Sequence, residues 1–384
     1  MTATAFSDDD RHFMRVALSL SKRGLGNVWP NPSVGCVLVS SEGAIVGRGF
    51  TKPGGRPHAE RVALDEAGDK ARNSTAYVTL EPCSHFGKSP PCALGLIEAG
   101  VKRVVSALED PDRRVSGKGY KMLRDAGITV ETGLYGDEAH RINAGFLSRI
   151  VYGRPIITLK LASTIDARSA TRSGESQWIT GDIAREYGHL LRANHDAILV
   201  GAKTVIVDNP TLTCRIPGRE AQSPVRVVLD RNGDVPVSAE LVRGAPKVPT
   251  WIITSKDKFD EVFEKFGKTG VKVLTAGCEN DHFDLNDVMK HLGEQGLTRV
   301  LVESGGNLAA DLVHRDLIDR VVHFIAPSLI GAEGKAMIAE LGLDHLSDMP
   351  RFQRTSVCPV GKDIAITYEK NNGIDKCSLA SLRI

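Results

Sequence analysis

Apolar and polar positions along this chain switch repeatedly between a helical period and a strand period. Residues 8–23, DDDRHFMRVALSLSKR, place Phe13, Val16, Ala17 and Leu20 at helical spacing behind three Asp that cap the start. NPSVGCVLVSSEGAIVGRGF reads as a hairpin whose two apolar runs meet at Ser41-Glu42-Gly43. From Ala59 to about Ala71 the period is helical again, with Val62, Ala63 and Ala67 on one face. AYVTL predicts a short strand, and CALGLIEAG a helix closed by Gly100. VKRVVSAL, KGYKMLRDAG and ITVETGL predict strand, helix and strand. Strands alternating with helices point to an α/β layer architecture.

Gly153 and Pro155 punctuate the pattern in VYGRPIITLKLA, and a second α/β series follows. Its strand candidates are IITLKLA, DAILVGA, VRVVLD, TWIITS, VKVLTA, RVLVES and RVVHFIAP. Several are nearly continuous apolar runs, as expected of strands covered on both faces. The 384 residues are therefore expected to form one domain over 1–150 and another over 154–370. A polar tail over 371–384 is expected to fray.

Composition narrows the function classes. Hydrophobic content of 41% and charged content of 25% suit ordinary cores. A net charge of +2 gives no nucleic-acid footprint. No run approaches the roughly 18 apolar residues of a membrane span. The start, MTATAFSDDDRHFMRVALSL, does not read as a signal peptide. Seven scattered Cys do not form a disulfide framework, so a reduced, cytoplasmic protein is expected.

Two stretches gather chemistry. RPHAERVALDEAG holds His58 and Glu60, and LEPCSHFGKSPPC holds Cys83 and Cys92. Catalytic zinc uses three protein ligands from imidazole and thiolate and keeps its fourth position for water. His58, Cys83 and Cys92 supply such a set, and Cys92 begins a helix whose N-terminus favours the thiolate. Glu60 is left over as the group that moves a proton between an activated water and a leaving amine. The order resembles the zinc deaminases, H-x-E then P-C-x-x-C, except that the second Cys follows after nine positions instead of three. Cys36, Cys214, Cys278, Cys358 and Cys377 lack such company and read as fillers or tail residues.

The long insertion resembles the deaminases of riboflavin biosynthesis, as does NPSVG at 31–35. By that resemblance Asn31 and His85 contact the substrate base and Lys88 reaches its phosphate. The second half has no G-x-G-x-x-G, but it has a strand followed by Gly305-Gly306 and a helix, which lets a phosphate approach backbone N–H groups. KLASTIDARSATRSGESQWITG, LRANHDAILVGAKTVIVDNPTLTCR and VLVESGGNLAADLVHRDLID together resemble the reductase half of the bifunctional riboflavin-biosynthesis family.

That resemblance covers residues from about 8 to about 368. It implies a cytidine-deaminase-like α/β/α domain followed by a dihydrofolate-reductase-like α/β domain. It implies one zinc ion per deaminase site and NADPH in the reductase. Ala162, Trp178, Thr204, Asp208, Gly305 and Gly306 would then lie at the cofactor. Ser176, Arg192, Leu212, Arg215 and Glu303 would lie at the substrate, with Arg192 facing its phosphate. Lys160 or Asp208 would assist hydride transfer. Arg231, after VRVVLD, is a candidate partner for the 2′-phosphate.

The implied substrate is a pyrimidine ribosylamine phosphate, with no nucleic acid or membrane partner and with a homo-oligomer expected. Two departures stand out: Asp166-Ala167 where the family has Asp-Gly, and Asp208-Asn209-Pro210 where it has Asp-Asp-Pro. Two other readings stay open. One is a cytidine- or tRNA-adenosine-type deaminase with an unrelated reductase; the other is a zinc-stabilised binding protein without catalysis.

Overall fold

A computed structural model describes residues 6–87, 89–112 and 116–370. They divide into two compact units between Tyr152 and Gly153. The tail expected to fray lies outside the described residues.

The first unit begins with α1 (Asp8–Ser21). Ser7, rather than the Asp run, is its N-cap: the Ser7 hydroxyl accepts from Asp10 N, and the Asp10 carboxylate accepts from Ser7 N. Then come β1 (Gly35–Val39), β2 (Ile45–Phe50), α2 (Ala59–Ala67), β3 (Thr75–Val78), α3 (Cys92–Glu98), β4 (Arg103–Ser106), α4 (Lys118–Asp125), β5 (Thr129–Thr132) and α5 (Gly136–Tyr152). The sheet order is β2-β1-β3-β4-β5. β1 is antiparallel to both β2 and β3, whereas β3, β4 and β5 are parallel.

Strand alternation splits the core into two layers. Cys36, Leu38, Ala76, Val78 and Val104 pack toward Ala59, Ala63, Ala93 and Leu123. Val37, Val39, Tyr77 and Val105 pack toward Met14, Leu18, Ala139 and Ile142. Helices therefore cover both faces. The helix expected over 59–71 ends as an α-helix at Ala67, where Gly68 takes φ 52°.

The second unit has β6 (Ile156–Thr164), β7 (Arg168–Ala170), α6 (Asp182–Ala193), β8 (Ala197–Gly201), α7 (Ala202–Asp208), β9 (Val225–Leu229), α8 (Glu240–Arg243), β10 (Thr250–Ser255), α9 (Phe259–Phe266) and β11 (Lys272–Ala276). It continues with β12 (Cys278–Glu279), β13 (His282–Phe283), α10 (Leu285–Glu294), β14 (Arg299–Val302), α11 (Gly306–His314), β15 (Arg320–Ala326), β16 (Lys335–Ala336), β17 (Phe352–Val360) and β18 (Asp363–Lys370). Nine strands form one sheet in the order β11-β10-β9-β8-β14-β6-β15-β18-β17. From β11 to β15 the neighbours are parallel, and β15-β18-β17 are antiparallel. The central strands are buried along both faces, as their apolar runs predict.

Candidate active sites

The first site is built where two helices start. Gly47 and Gly49 of β2 let α2 lie directly on the strand: a Cβ there would stand 2.2 Å from Ala63 O and 2.0 Å from Ala59 O. That packing fixes the start of α2, with His58 as its N-cap and Glu60 in its first turn. Cys92 opens α3, and its backbone N–H donates to Cys83 Sγ at 3.3 Å.

His58 Nδ1 stands 3.3 Å from Cys92 Sγ and 3.7 Å from Cys83 Sγ. All three donor atoms lie within 4.8 Å of one another. Around a tetrahedral zinc with bonds of about 2.3 Å to sulfur and 2.0–2.1 Å to nitrogen, a ligand sulfur and nitrogen stand about 3.6 Å apart. The two observed distances bracket that value, so the donor set fits the ion in chemistry and in span. The contact between the two thiols holds Cys83 well below its usual range, while the same contact and burial push the Cys92 thiol up, opposite to what its place at the helix start predicts. Glu60 is 3% exposed, and burial pushes its carboxyl up to about 7.

Glu81, which sequence reasoning passed over, anchors the loop behind Cys83. Its carboxylate accepts from Gly117 N at 3.0 Å and Gly119 N at 2.9 Å, and from Asp110 N and Tyr120 N at 3.3 Å. Its position before Pro82-Cys83 is the only local signal for it. Asn31 donates to Gly55 O at 2.7 Å, tying its loop to the segment that leads into His58. His85 keeps a buried Nδ1 with no hydrogen-bond partner among the described residues. Lys88 lies outside the described residues.

In the second unit a cavity of 410 Å³ gathers Lys160, Trp178, Arg192, Thr204, Asp208, Leu212, Arg215 and Glu303. Arg192 and Glu303, both expected at the substrate, grip each other. Arg192 Nε and Nη2 donate to the two Glu303 oxygens at 2.8 and 3.0 Å, and Nη1 donates to Thr213 O at 3.0 Å. Burial alone would raise the Glu303 carboxyl; the Arg192 and Lys160 charges hold it down to about 2. Burial, with the charges of Arg192 and Arg215, lowers His189, which faces the same cavity. Arg215 is exposed, and its Nη1 donates only weakly, to Thr211 Oγ1 at 3.4 Å. Trp178 is 65% exposed beneath the Arg185 guanidinium, which lies 4.6 Å from its ring centroid.

Ala162 sits on β6 opposite Phe324, and Ser176 is exposed in the segment before Trp178. Gly305 caps α11, and the place a Cβ would take there is open. At Gly306 that place is taken: a Cβ would stand 2.9 Å from Ala339 N. Arg231 lies at another cavity of 570 Å³, where it pairs with Asp281 at 2.5 Å. Both departures keep the left-handed backbone. Ala167 stands at φ 60°, and the Asp166 carboxylate beside it accepts from Gly331 N at 2.7 Å. Asn209 caps α7 at φ 41°, a conformation Asn tolerates well, and its Oδ1 accepts from Glu240 N at 2.9 Å.

Comparison with known proteins matches both units. Residues 7–108 match the family described as the cytidine and deoxycytidylate deaminase zinc-binding region, and residues 155–366 match the RibD C-terminal domain. The riboflavin biosynthesis protein RibD of Haemophilus influenzae is 41% identical over 94% of this chain and 98% of its own length. A structure of Acinetobacter baumannii RibD superposes with a TM-score of 0.85 at 36% identity, covering 94% of this chain and 98% of that one. A Thermotoga maritima structure described as a diaminohydroxyphosphoribosylaminopyrimidine deaminase/5-amino-6-(5-phosphoribosylamino)uracil reductase gives 0.83 at 34% identity, covering 94% and 99%. No helix among the described residues is long and apolar enough to cross a membrane. With a zinc-binding deaminase half and a reductase half joined in that order, the chain belongs to the RibD family, the bifunctional deaminase–reductases of riboflavin biosynthesis.

Proposed function

We propose that the first unit removes the exocyclic 2-amino group of a diaminopyrimidinone ribosylamine 5′-phosphate, and that the second unit reduces the ribosyl side chain of the product to ribityl with NADPH. The observation that carries this reading is the His58–Cys83–Cys92 donor set with the buried Glu60 beside it. Zinc held by His58, Cys83 and Cys92 would supply Lewis acidity there and would make a water a stronger acid. Glu60 takes the proton of that water and hands it to the leaving amine, work suited to a carboxyl whose burial lifts it to about 7. Asn31 and His85 hold the pyrimidine. The buried Nδ1 of His85, which has no hydrogen-bond partner among the described residues, supports its role. Lys88, by resemblance, takes the phosphate.

In the second unit NADPH supplies the hydride. The open approach above Gly305 suits its phosphates, which the free N–H groups at the start of α11 attract. Gly306 backs that turn, and Ala162, Trp178 and Thr204 flank the nicotinamide side. Lys160 and Asp208 both line the cavity, and one of them delivers a proton to the acceptor. Ser176, Leu212 and Glu303 shape the substrate side. Arg192, expected at the substrate phosphate, is held by Glu303 and Thr213 O, so Arg215, exposed at the same cavity, takes the phosphate in its place. Arg215→Ala is expected to raise the substrate KM by about tenfold or more, the value of a lost charged bidentate contact. The melting temperature should not change, because Arg215 is exposed and weakly bonded. A KM equal to wild type would move the phosphate elsewhere.

We also place the protein in the cytoplasm, where thiols such as Cys83 and Cys92 stay reduced. A homo-oligomer is supported by the outer edge of β17, which is open along most of its length, with Val357 53% exposed. The test of the whole reading is a coupled assay with the diaminopyrimidinone ribosylamine phosphate. NADPH oxidation should occur with metal-replete protein and stop after chelation, while the deaminated compound is still reduced. Oxidation of the undeaminated compound by metal-free protein would reverse the proposed order.

A further inference from the structure

One guanidinium in the second unit is buried without a counter-ion. Arg226 of β9 is 1% exposed, and among the described residues no carboxylate acts on it; only burial bears on its charge, and lowers its pKa. Taking a guanidinium out of water is costly, so what it holds in return matters. Its Nη2 donates to Val248 O at 2.7 Å, just before β10. Its Nη1 donates to Thr211 O at 3.2 Å. Both carbonyls therefore hang on one planar group rooted in the sheet.

Thr211 belongs to the segment that carries Leu212 and Arg215 to the reductase cavity. Two residues on, Thr213 O accepts from Arg192 Nη1 at 3.0 Å and stands 3.2 Å from His189 Nδ1. Leu212 lies between the two anchored carbonyls. It is buried, and it stands at φ 54°, a left-handed conformation that a side chain with a Cβ disfavours. Such a conformation persists only where its surroundings over-determine it. Here the over-determination comes from two arginines that hold the carbonyls on either side of Leu212, Arg226 at Thr211 and Arg192 at Thr213.

We propose that Arg226 is a positioning residue for the reductase reaction: with Arg192 it locks residues 211–213 in the left-handed turn that presents Leu212 and Arg215 to the pyrimidine phosphate. This rests on reading the 410 Å³ cavity as the reductase site. Arg226 touches no reacting atom. Its effect passes through the backbone of Thr211, so it should be felt in substrate binding rather than in hydride transfer.

Two variants of the full chain test this. Arg226→Lys keeps the charge but cannot span two carbonyls. Gly244→Ala leaves Arg226 in place and crowds it, since a Cβ at 244 would stand 3.2 Å from Arg226 Nη1. Gly244 has φ −83°, so alanine adds no backbone strain there. With the deaminated substrate, both should raise substrate KM by on the order of tenfold while kcat stays within about twofold. The Kd for NADPH, read by its fluorescence, and the deaminase rate should match wild type. Wild-type KM in either folded variant, with only a lowered melting temperature, would make Arg226 a stabilising residue and overturn the proposal. Should Arg226→Lys fail to fold, Gly244→Ala alone decides between these outcomes. A wild-type protein inert toward this substrate with NADPH would instead overturn the reading of the cavity itself.

Discussion

Glu60→Gln is expected to lower deaminase turnover by about 10²–10⁴-fold, the range that general acid–base catalysis contributes. The substitution is nearly isosteric, so α2 should still dock on Gly47 and Gly49. The donor atoms that span the metal site are His58 Nδ1, Cys83 Sγ and Cys92 Sγ, none of which belongs to Glu60. Metal content should therefore stay at the wild-type level, and so should NADPH oxidation with the deaminated substrate. Ammonia release, atomic absorption and NADPH absorbance on the same preparation check all three. Loss of zinc from the variant would mean that Glu60 helps to hold the metal and is not the proton carrier. Full deamination by the variant would mean that a group other than Glu60 carries the proton.

The first unit was largely legible because its strands bury one layer of side chains toward each sheet face. Alternation in GCVLV separates Cys36 and Leu38 from Val37 and Val39, and the two cores divide the same way. α5 was not read from the sequence. Gly136, Asn143 and Gly145 dilute its helical signal, and packing decides it instead. β17 and β18 were also missed. β17 carries Gln353, Arg354, Thr355, Ser356 and Pro359, exposed on both faces, so no apolar period marks it.

The metal set was legible because His, Glu and Cys are chemically distinctive and sit at the starts of elements the pattern had already placed. Pairing across long separations was not. Arg192 and Glu303 are 111 residues apart, and both had been assigned to substrate rather than to each other. Arg226 did leave a signal: an arginine inside the apolar run VRVVLD is out of place in a buried strand unless something holds it.

Glu303→Gln is expected to destabilise the second unit by about 3–5 kcal/mol, the cost of leaving one partner of a buried ion pair uncompensated. The Arg192 and Glu303 side chains are only 15% and 14% exposed, so solvent relieves little of that cost. Reductase kcat/KM should fall by about 10²-fold or more, because Arg192 also fixes Thr213 O and hence the segment leading to Arg215.

The pair also sets an acid limit. In the folded chain the Glu303 carboxyl sits near 2, below its ordinary 4.5. Its stabilising contribution is complete above about 4.5 and is lost as pH falls toward 2. Melts of the wild type should therefore show extra loss of stability in that window, and melts of Glu303→Gln should not. Combining Glu303→Gln with Arg192→Met removes the orphaned charge. That double variant should regain much of the stability and none of the reductase activity. If Glu303→Gln alone keeps wild-type melting and wild-type kcat/KM, the ion pair is a passive link, and neither residue organises the cavity.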